Sequence, residues 1–242
     1  MIHSSYINVS NYVIMSTELQ QKELVSTARL TGIWYLMLAI TGMIGFLVLH
    51  SRIYVTNDPS TTLTNLTEQE TVARIRLLFE FLIVISQALA AVWFYKLFKD
   101  IEHTSAWALA IWGTMNSVAI MISAMAMGGA IEVAHSTTLA VSEKTTMIQV
   151  FNQFIKHGWG VGSIFFGLWL MPMGYIVVAS KRMPLWLGRV LIIGGVGYVL
   201  NAFIGYMGVQ ATWREFLTLP ATIGEFWMIG YLLIFGIRSS SE

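Results

Sequence analysis

Two carboxylates stand inside apolar runs long enough to cross a bilayer: Glu80 in "RIRLLFEFLIVIS" and Glu225 in "LPATIGEFWMIGYLLIFGIR". A charge near the bilayer centre costs about 2.5–3.5 kcal/mol on insertion scales, so each should face other helices or a cavity, never lipid. At 1.5 Å per helical residue, Glu80 lies roughly 24 Å from the level of Lys96, and Glu225 roughly 20 Å from that of Arg238. The two carboxylates are therefore expected at similar depth. Gln87, Asn116 and Asn201 fall roughly 13–18 Å from the same end, close to mid-membrane. Arg76, Glu80 and Gln87 are spaced four and seven apart, which is one stripe of a helix. Arg76 is one turn from Glu80 and is its nearest counter-charge. Glu225 has no basic residue within a turn, so either its partner comes from another helix (Arg76, Lys156, His157 or Arg214) or it is protonated, since desolvation disfavours the charged form of a carboxyl.

Two readings of these six residues stay open. In one, Glu225, Glu80, Arg76, Gln87, Asn116 and Asn201 line a polar cavity that binds a small solute or ion. In the other, they are a buried ion pair and interhelical hydrogen bonds that set helix order. A separate constellation is "EVAH", which puts Glu132 and His135 three apart, the spacing by which one helix can offer two metal ligands. With His157 they could form a metal site. No other chemistry has support. Ser86 and Ser163 lack a His–Asp pair, there is no cysteine, and no glycine-rich run has the phosphate-loop lysine. No cofactor is expected, and the reading leans away from an enzyme.

The elements that must hold these residues are helices. Hydrophobic residues make up 56% of the 242-residue chain and charged residues 11%, against about 25% charge in a soluble domain. Six stretches reach the roughly 20 apolar residues that span the hydrocarbon core: 29–50, 75–97, 106–131, 155–180, 187–208 and 219–237. Their hydrophobicity is continuous rather than alternating, and backbone in lipid must bond within its own segment. The fold class is all-α, a polytopic bundle of six transmembrane helices. We expect a cytoplasmic N-terminal extension over 1–28, with Met15 an alternative start, and a transmembrane domain over 29–238. "TEQE" at Thr67–Glu70 has the pattern of a capping box, which would start the second helix near Glu68. Pro172 should kink the fourth helix. Glycines at helical spacing with Tyr198 and Asn201 place the fifth helix at a packed interface. The motif "YKLFKDIEHTSAW" beside "YIVVASKRMPLW" hints at repeated hairpins, but aromatics and lysines occur at membrane interfaces in any case.

Basic residues crowd the helix ends and short turns on one side, so both termini are expected in the cytoplasm. The net charge of +1 gives no global field for nucleic acid. The expected partners are the lipid bilayer and a small molecule or ion.

The runs "ARLTGIWYLMLAITG", "FFGLWLMPMGYIVVASKRMPLWLG", "GYVLN" and "LPATIGEFWMIGYLLIFGIR" resemble the bacterial membrane family called domain of unknown function 4386. The resemblance spans about Ala28 to Arg238. Its most specific parts are the fourth-helix segment and the element Pro220, Gly224, Glu225. It implies a six-helix protein of the bacterial cytoplasmic membrane and no reaction; the residues before Met15 depart from the family's short start. Three function classes remain: a small-solute or ion permease with an outward-facing cavity, a membrane sensor, immunity or stress-resistance protein, and an intramembrane or lipid-modifying enzyme.

Overall fold

The computed structural model describes residues 2–209 and 211–239, with residues 2–17 as helical backbone only. The order is α1 (Ile2–Gly42), a π-helical stretch (Met43–His50), α2 (Ser51–Ile53), α3 (Pro59–Glu68), α4 (Glu70–Phe98), α5 (His103–His135), α6 (Val141–Ser180), α7 (Leu185–Tyr206), a 3-10 stretch (Thr212–Thr218) and α8 (Leu219–Ile234). The described residues contain no strand. Six helical segments are long and apolar enough to cross a membrane: Glu18–Ile53, Glu70–Phe98, His103–His135, Val141–Ser180, Leu185–Tyr206 and Thr212–Ile234. The protein is an all-α, multi-pass membrane bundle.

The spanning helices form a closed ring in chain order. Each packs on the next (α1 on α4, then α4 to α8 in turn), and α8 returns to α1. Large apolar side chains such as Leu47, Leu78, Ile85, Val92, Met125 and Phe203 point outward, which suits a lipid solvent. Within the ring, Phe94, Trp169, Leu170, Met173 and Leu191 make one buried cluster. A second cluster, with Ile53, Leu66, Met127, Ile131, Ile148 and Ile155, lies toward the end that carries α3. At the opposite end, Gln21 donates to the Ile237 carbonyl at 2.7 Å and the Arg238 N–H to the Arg182 carbonyl at 3.3 Å. These bonds tie the foot of α1, the α6–α7 turn and the C-terminal segment together.

The α6–α7 contact depends on glycine. A Cβ on Gly174 would lie 2.5 Å from the Gly188 carbonyl oxygen, and one on Gly167 would lie 2.6 Å from that of Gly195. The two pairs are seven residues apart on each helix in antiparallel sense, so small residues repeat along one face and let the backbones touch. Of the stripe expected to pack the fifth helix, Gly194 meets Ala221 of α8. Asn201 and Gly205 instead face the Arg214 side chain.

One local feature differs from the sequence expectation, and one lies outside it. The capping box at Thr67–Glu70 does not form. Asp58 instead starts the earlier helix α3, accepting the Thr61 N–H at 2.9 Å with Pro59 in the first turn. Thr67 is spent inside that helix, on the Leu63 carbonyl at 2.6 Å. The π-helical stretch after Gly42 has no counterpart in the apolar pattern, because widening a helix by one residue leaves its hydrophobicity unchanged. Pro172 lies inside α6, as the sequence placed it.

Candidate functional site

A cavity of about 280 Å³ lies in the middle of the ring. Every spanning helix contributes to its wall, through faces at helical spacing. Tyr35, Leu38, Ala39 and Gly42 come from α1, and Trp159, Gly162, Ser163 and Phe166 from α6. Thr222, Glu225, Phe226 and Ile229 come from α8. Met43 of the π-helical stretch, Ile83 and Gln87 of α4, Asn116 and Ile120 of α5, and Tyr198 of α7 complete it. Met43, Thr222 and Phe226 are exposed. They form a rim on the flank of the bundle, between the upper part of α1 and the start of α8.

Glu225 is half-buried in this wall. Its Oε1 accepts the Tyr35 hydroxyl at 2.7 Å. Tyr35 is held in turn by edge-on contacts with Trp169 at 5.1 Å and Phe94 at 5.5 Å between ring centres. No lysine, arginine or histidine is among the lining residues. The four counter-charges weighed for Glu225 are placed elsewhere. Arg76 pairs with Glu80, Arg214 with Asn201, and His157 stacks on Tyr206. Lys156 is exposed.

Glu80 has the opposite surroundings. Arg76 and Glu80 form an ion pair of 2.6 Å with each side chain 2% exposed. Glu80 also accepts from the Ser123 hydroxyl and, at 3.2 Å, from the Trp159 indole. The Arg76 guanidinium lies 5.7 Å above the Tyr54 ring. The space beside the pair, among Gly45, Phe46, Ile83 and Trp159, has no room for a water molecule. This closed, dry pair joins α4, α5, α6 and the segment after α2. Trp159 separates it from the cavity, with its ring in the cavity wall and its N–H on Glu80.

Of the six residues grouped by sequence, Glu225, Gln87 and Asn116 thus share the cavity, while Glu80 and Arg76 form the clasp behind it. Asn116 donates to Gln87 Oε1 at 3.2 Å, and Gln87 Nε2 is buried with no partner among the described residues. Asn201 is apart from both. Its Oδ1 accepts from Arg214 Nε at 3.1 Å and its carbonyl from the same guanidinium at 2.9 Å, so Arg214 closes the end of α7.

The metal trio does not assemble. His135 turns to Glu70, with Nε2 3.2 Å from the carboxylate, and His157 Nδ1 lies 3.3 Å from the Tyr206 hydroxyl. Glu132 is exposed. No group of three or more His, Cys, Asp or Glu side chains is placed to hold a metal among the described residues. A three-residue spacing sets two side chains on one face, but the third ligand depends on how α5 and α6 are turned, and they turn these groups apart.

Sequence reasoning missed Tyr35, Trp159 and Phe166. In apolar helices an aromatic residue reads as lipid-facing or core. The available signal was the spacing of each with small or polar neighbours: Tyr35 with Ala39 and Gly42, and Trp159 with Gly162, Ser163 and Phe166.

The family described as Domain of unknown function (DUF4386) matches residues 30–236, most of the chain. The chain belongs to this family. The match takes in every lining residue of the cavity and both members of the Arg76–Glu80 clasp. A 69-residue stretch is 29% identical to an uncharacterized protein of Archaeoglobus fulgidus, covering 28% of this chain and 43% of that protein. The similarity therefore spans less than half of the relative. No solved structure matches the chain.

Proposed function

We propose that this DUF4386 protein binds a small solute in its intramembrane cavity and acts as a permease for it. The observation behind this reading is the position of Glu225: a carboxylate in the wall of a central cavity, hydrogen-bonded to Tyr35 and facing no cation among the described residues. A carboxylate kept in a membrane interior without a counter-charge is costly, and a bound solute would offset that cost. The dry Arg76–Glu80 pair offers the contrast, since there each charge already faces its opposite. Ser163 is committed to the Gly160 carbonyl at 2.7 Å, and no histidine is among the described lining residues, so a serine nucleophile with a histidine base has no support. In this reading the protein sits in the bacterial cytoplasmic membrane with both termini in the cytoplasm. That side has Lys22, Arg29, Lys96, Lys99, Lys181, Arg182, Arg189 and Arg238 at helix ends and short turns, as the positive-inside rule asks.

The test is native mass spectrometry of the protein purified in mild detergent, followed by flux measurements in liposomes with any ligand found. The expected result is a small molecule retained by the wild type, lost in Glu225→Gln and carried across the bilayer. Retention without flux would make the protein a receptor. A wild type that holds nothing would sink the reading.

A further inference from the structure

We infer that the ligand of the central cavity is a small organic cation, a quaternary or protonated amine with an apolar substituent. The inference rests on the binding reading above and deepens it. Glu225 supplies the counter-charge in its ionised form. Its Oε1 is engaged by the Tyr35 hydroxyl, which holds the carboxylate in place and leaves Oε2 without a protein donor among the described residues.

Three observations select this chemistry. The first is charge. The lining residues contain one carboxylate and no basic group. An anion would meet a like charge in a low-dielectric site, where repulsion is strongest.

The second is the wall. Tyr35, Trp159, Phe166, Tyr198 and Phe226 all line the cavity, and Phe166 meets Tyr198 edge-on at 5.2 Å. Aromatic faces attract diffuse organic cations, and a desolvated site strengthens that attraction. A divalent metal cation is instead held by several carboxylate and other oxygen ligands, and no group of three or more His, Cys, Asp or Glu side chains is placed to hold one among the described residues.

The third is size and access. About 280 Å³ lies just below the roughly 300–1,000 Å³ typical of ligand cavities, so the amine is small. The exposed rim of Met43, Thr222 and Phe226 opens on the flank of the bundle, where a solute with an apolar substituent concentrates.

The test uses three probes of one shape and different charge: benzyltrimethylammonium, its neutral carbon analogue neopentylbenzene, and the anion benzylsulfonate. Binding to the full chain in nanodiscs is measured by calorimetry. The expected result is that the ammonium binds at least tenfold more tightly than the other two. Glu225→Gln should weaken the ammonium roughly tenfold or more, about 1.4 kcal/mol, and leave neopentylbenzene unchanged. Should Glu225→Gln fail to fold, Tyr198→Leu removes one ring and keeps the carboxylate. It should also weaken the ammonium selectively. Equal binding of the anion, or undiminished ammonium binding in Glu225→Gln, overturns the inference. Binding of neopentylbenzene without the ammonium overturns it while leaving the cavity a binding site. If no probe binds and native mass spectrometry finds no ligand, both readings fall.

Discussion

Glu80 and Glu225 show how surroundings divide like residues into different roles. Glu80 shares its charge with Arg76, Ser123 and Trp159 in a space closed to water. Removing one partner of a buried pair leaves the other charge uncompensated, at a cost of about 3–5 kcal/mol. Glu80→Gln is therefore expected to lower stability by about that amount in denaturant titration of the detergent-solubilised protein. The double change Arg76→Met with Glu80→Leu should recover much of the loss, because an apolar pair of similar volume has no charge to desolvate. A double variant no more stable than Glu80→Gln would contradict this account. Outside the membrane, Asp58 caps α3. Bonds from the Thr61 hydroxyl and N–H hold its carboxyl below its ordinary value. A depressed pKa in the folded state means that the stabilisation is present above the unfolded value, about 3.9, and is lost as pH falls through the folded one. The stability gap between wild type and Asp58→Ala should be present at neutral pH and close in acid below that range. Thermal unfolding of both at several pH values measures it; a gap that persists in acid would rule out the carboxylate as its source.

At the scale of elements, the α6–α7 pair and the start of α4 make different demands on sequence. The reciprocal contacts Gly174–Gly188 and Gly167–Gly195 leave no space for a methyl group. Gly174→Ala should separate the helices and destabilise by about 1–3 kcal/mol, as overpacking does. Gly230→Ala serves as the control, since a Cβ there meets nothing within 4 Å; its melting temperature should match the wild type or exceed it. Equal losses in the two variants would show that helix contact is not the reason for glycine at 174. The α3–α4 boundary illustrates competition between local signals. Thr67 and Glu70 have the residue types of a cap, yet Asp58 and Pro59 start a helix nine residues earlier. Thr67 then lies inside that helix, its hydroxyl bonded one turn back. A motif specifies a cap only when no stronger start precedes it.

At the scale of the whole molecule, the ring closes by α8 meeting α1. Near that seam, Gly32 fits against Leu232 and Leu233, and Tyr35 bonds to Glu225. Beyond them the rim lies between Met43 and Phe226. The π-helical stretch that starts at Met43 turns Phe46 onto Trp159 at 4.7 Å, so the wide turn shapes the cavity wall, as such turns often do at functional sites. Because the chain has no cysteine, a Met43→Cys, Phe226→Cys pair can be bridged cleanly with a cleavable bifunctional thiol reagent. Bridging should abolish uptake of the ammonium probe, and cleavage should restore it. Uptake unaffected by the bridge would place the entrance elsewhere.

The membrane class and the six spans were legible in the chain because their causes are local. Hydrocarbon thickness sets the length of an apolar run, and unsatisfied backbone in lipid enforces helix within each run. The Arg76–Glu80 pairing was legible too, since it follows from one turn of spacing; the expected similar depth of Glu80 and Glu225 is not met, because Tyr35, which bonds Glu225, packs on Phe94, 14 residues past Glu80 on α4. What each group faces was decided by tertiary structure. Depth along a helix follows from counting residues, but orientation around its axis depends on how all six helices pack. A rotation of one residue position, about 100° for a helix of 3.6 residues per turn, would exchange cavity for lipid. The packed ring thus sent Glu80 to Arg76, Ser123 and Trp159, Asn201 to Arg214, and His135 and His157 to different neighbours. It left Glu225, with Tyr35, facing the open space at the centre.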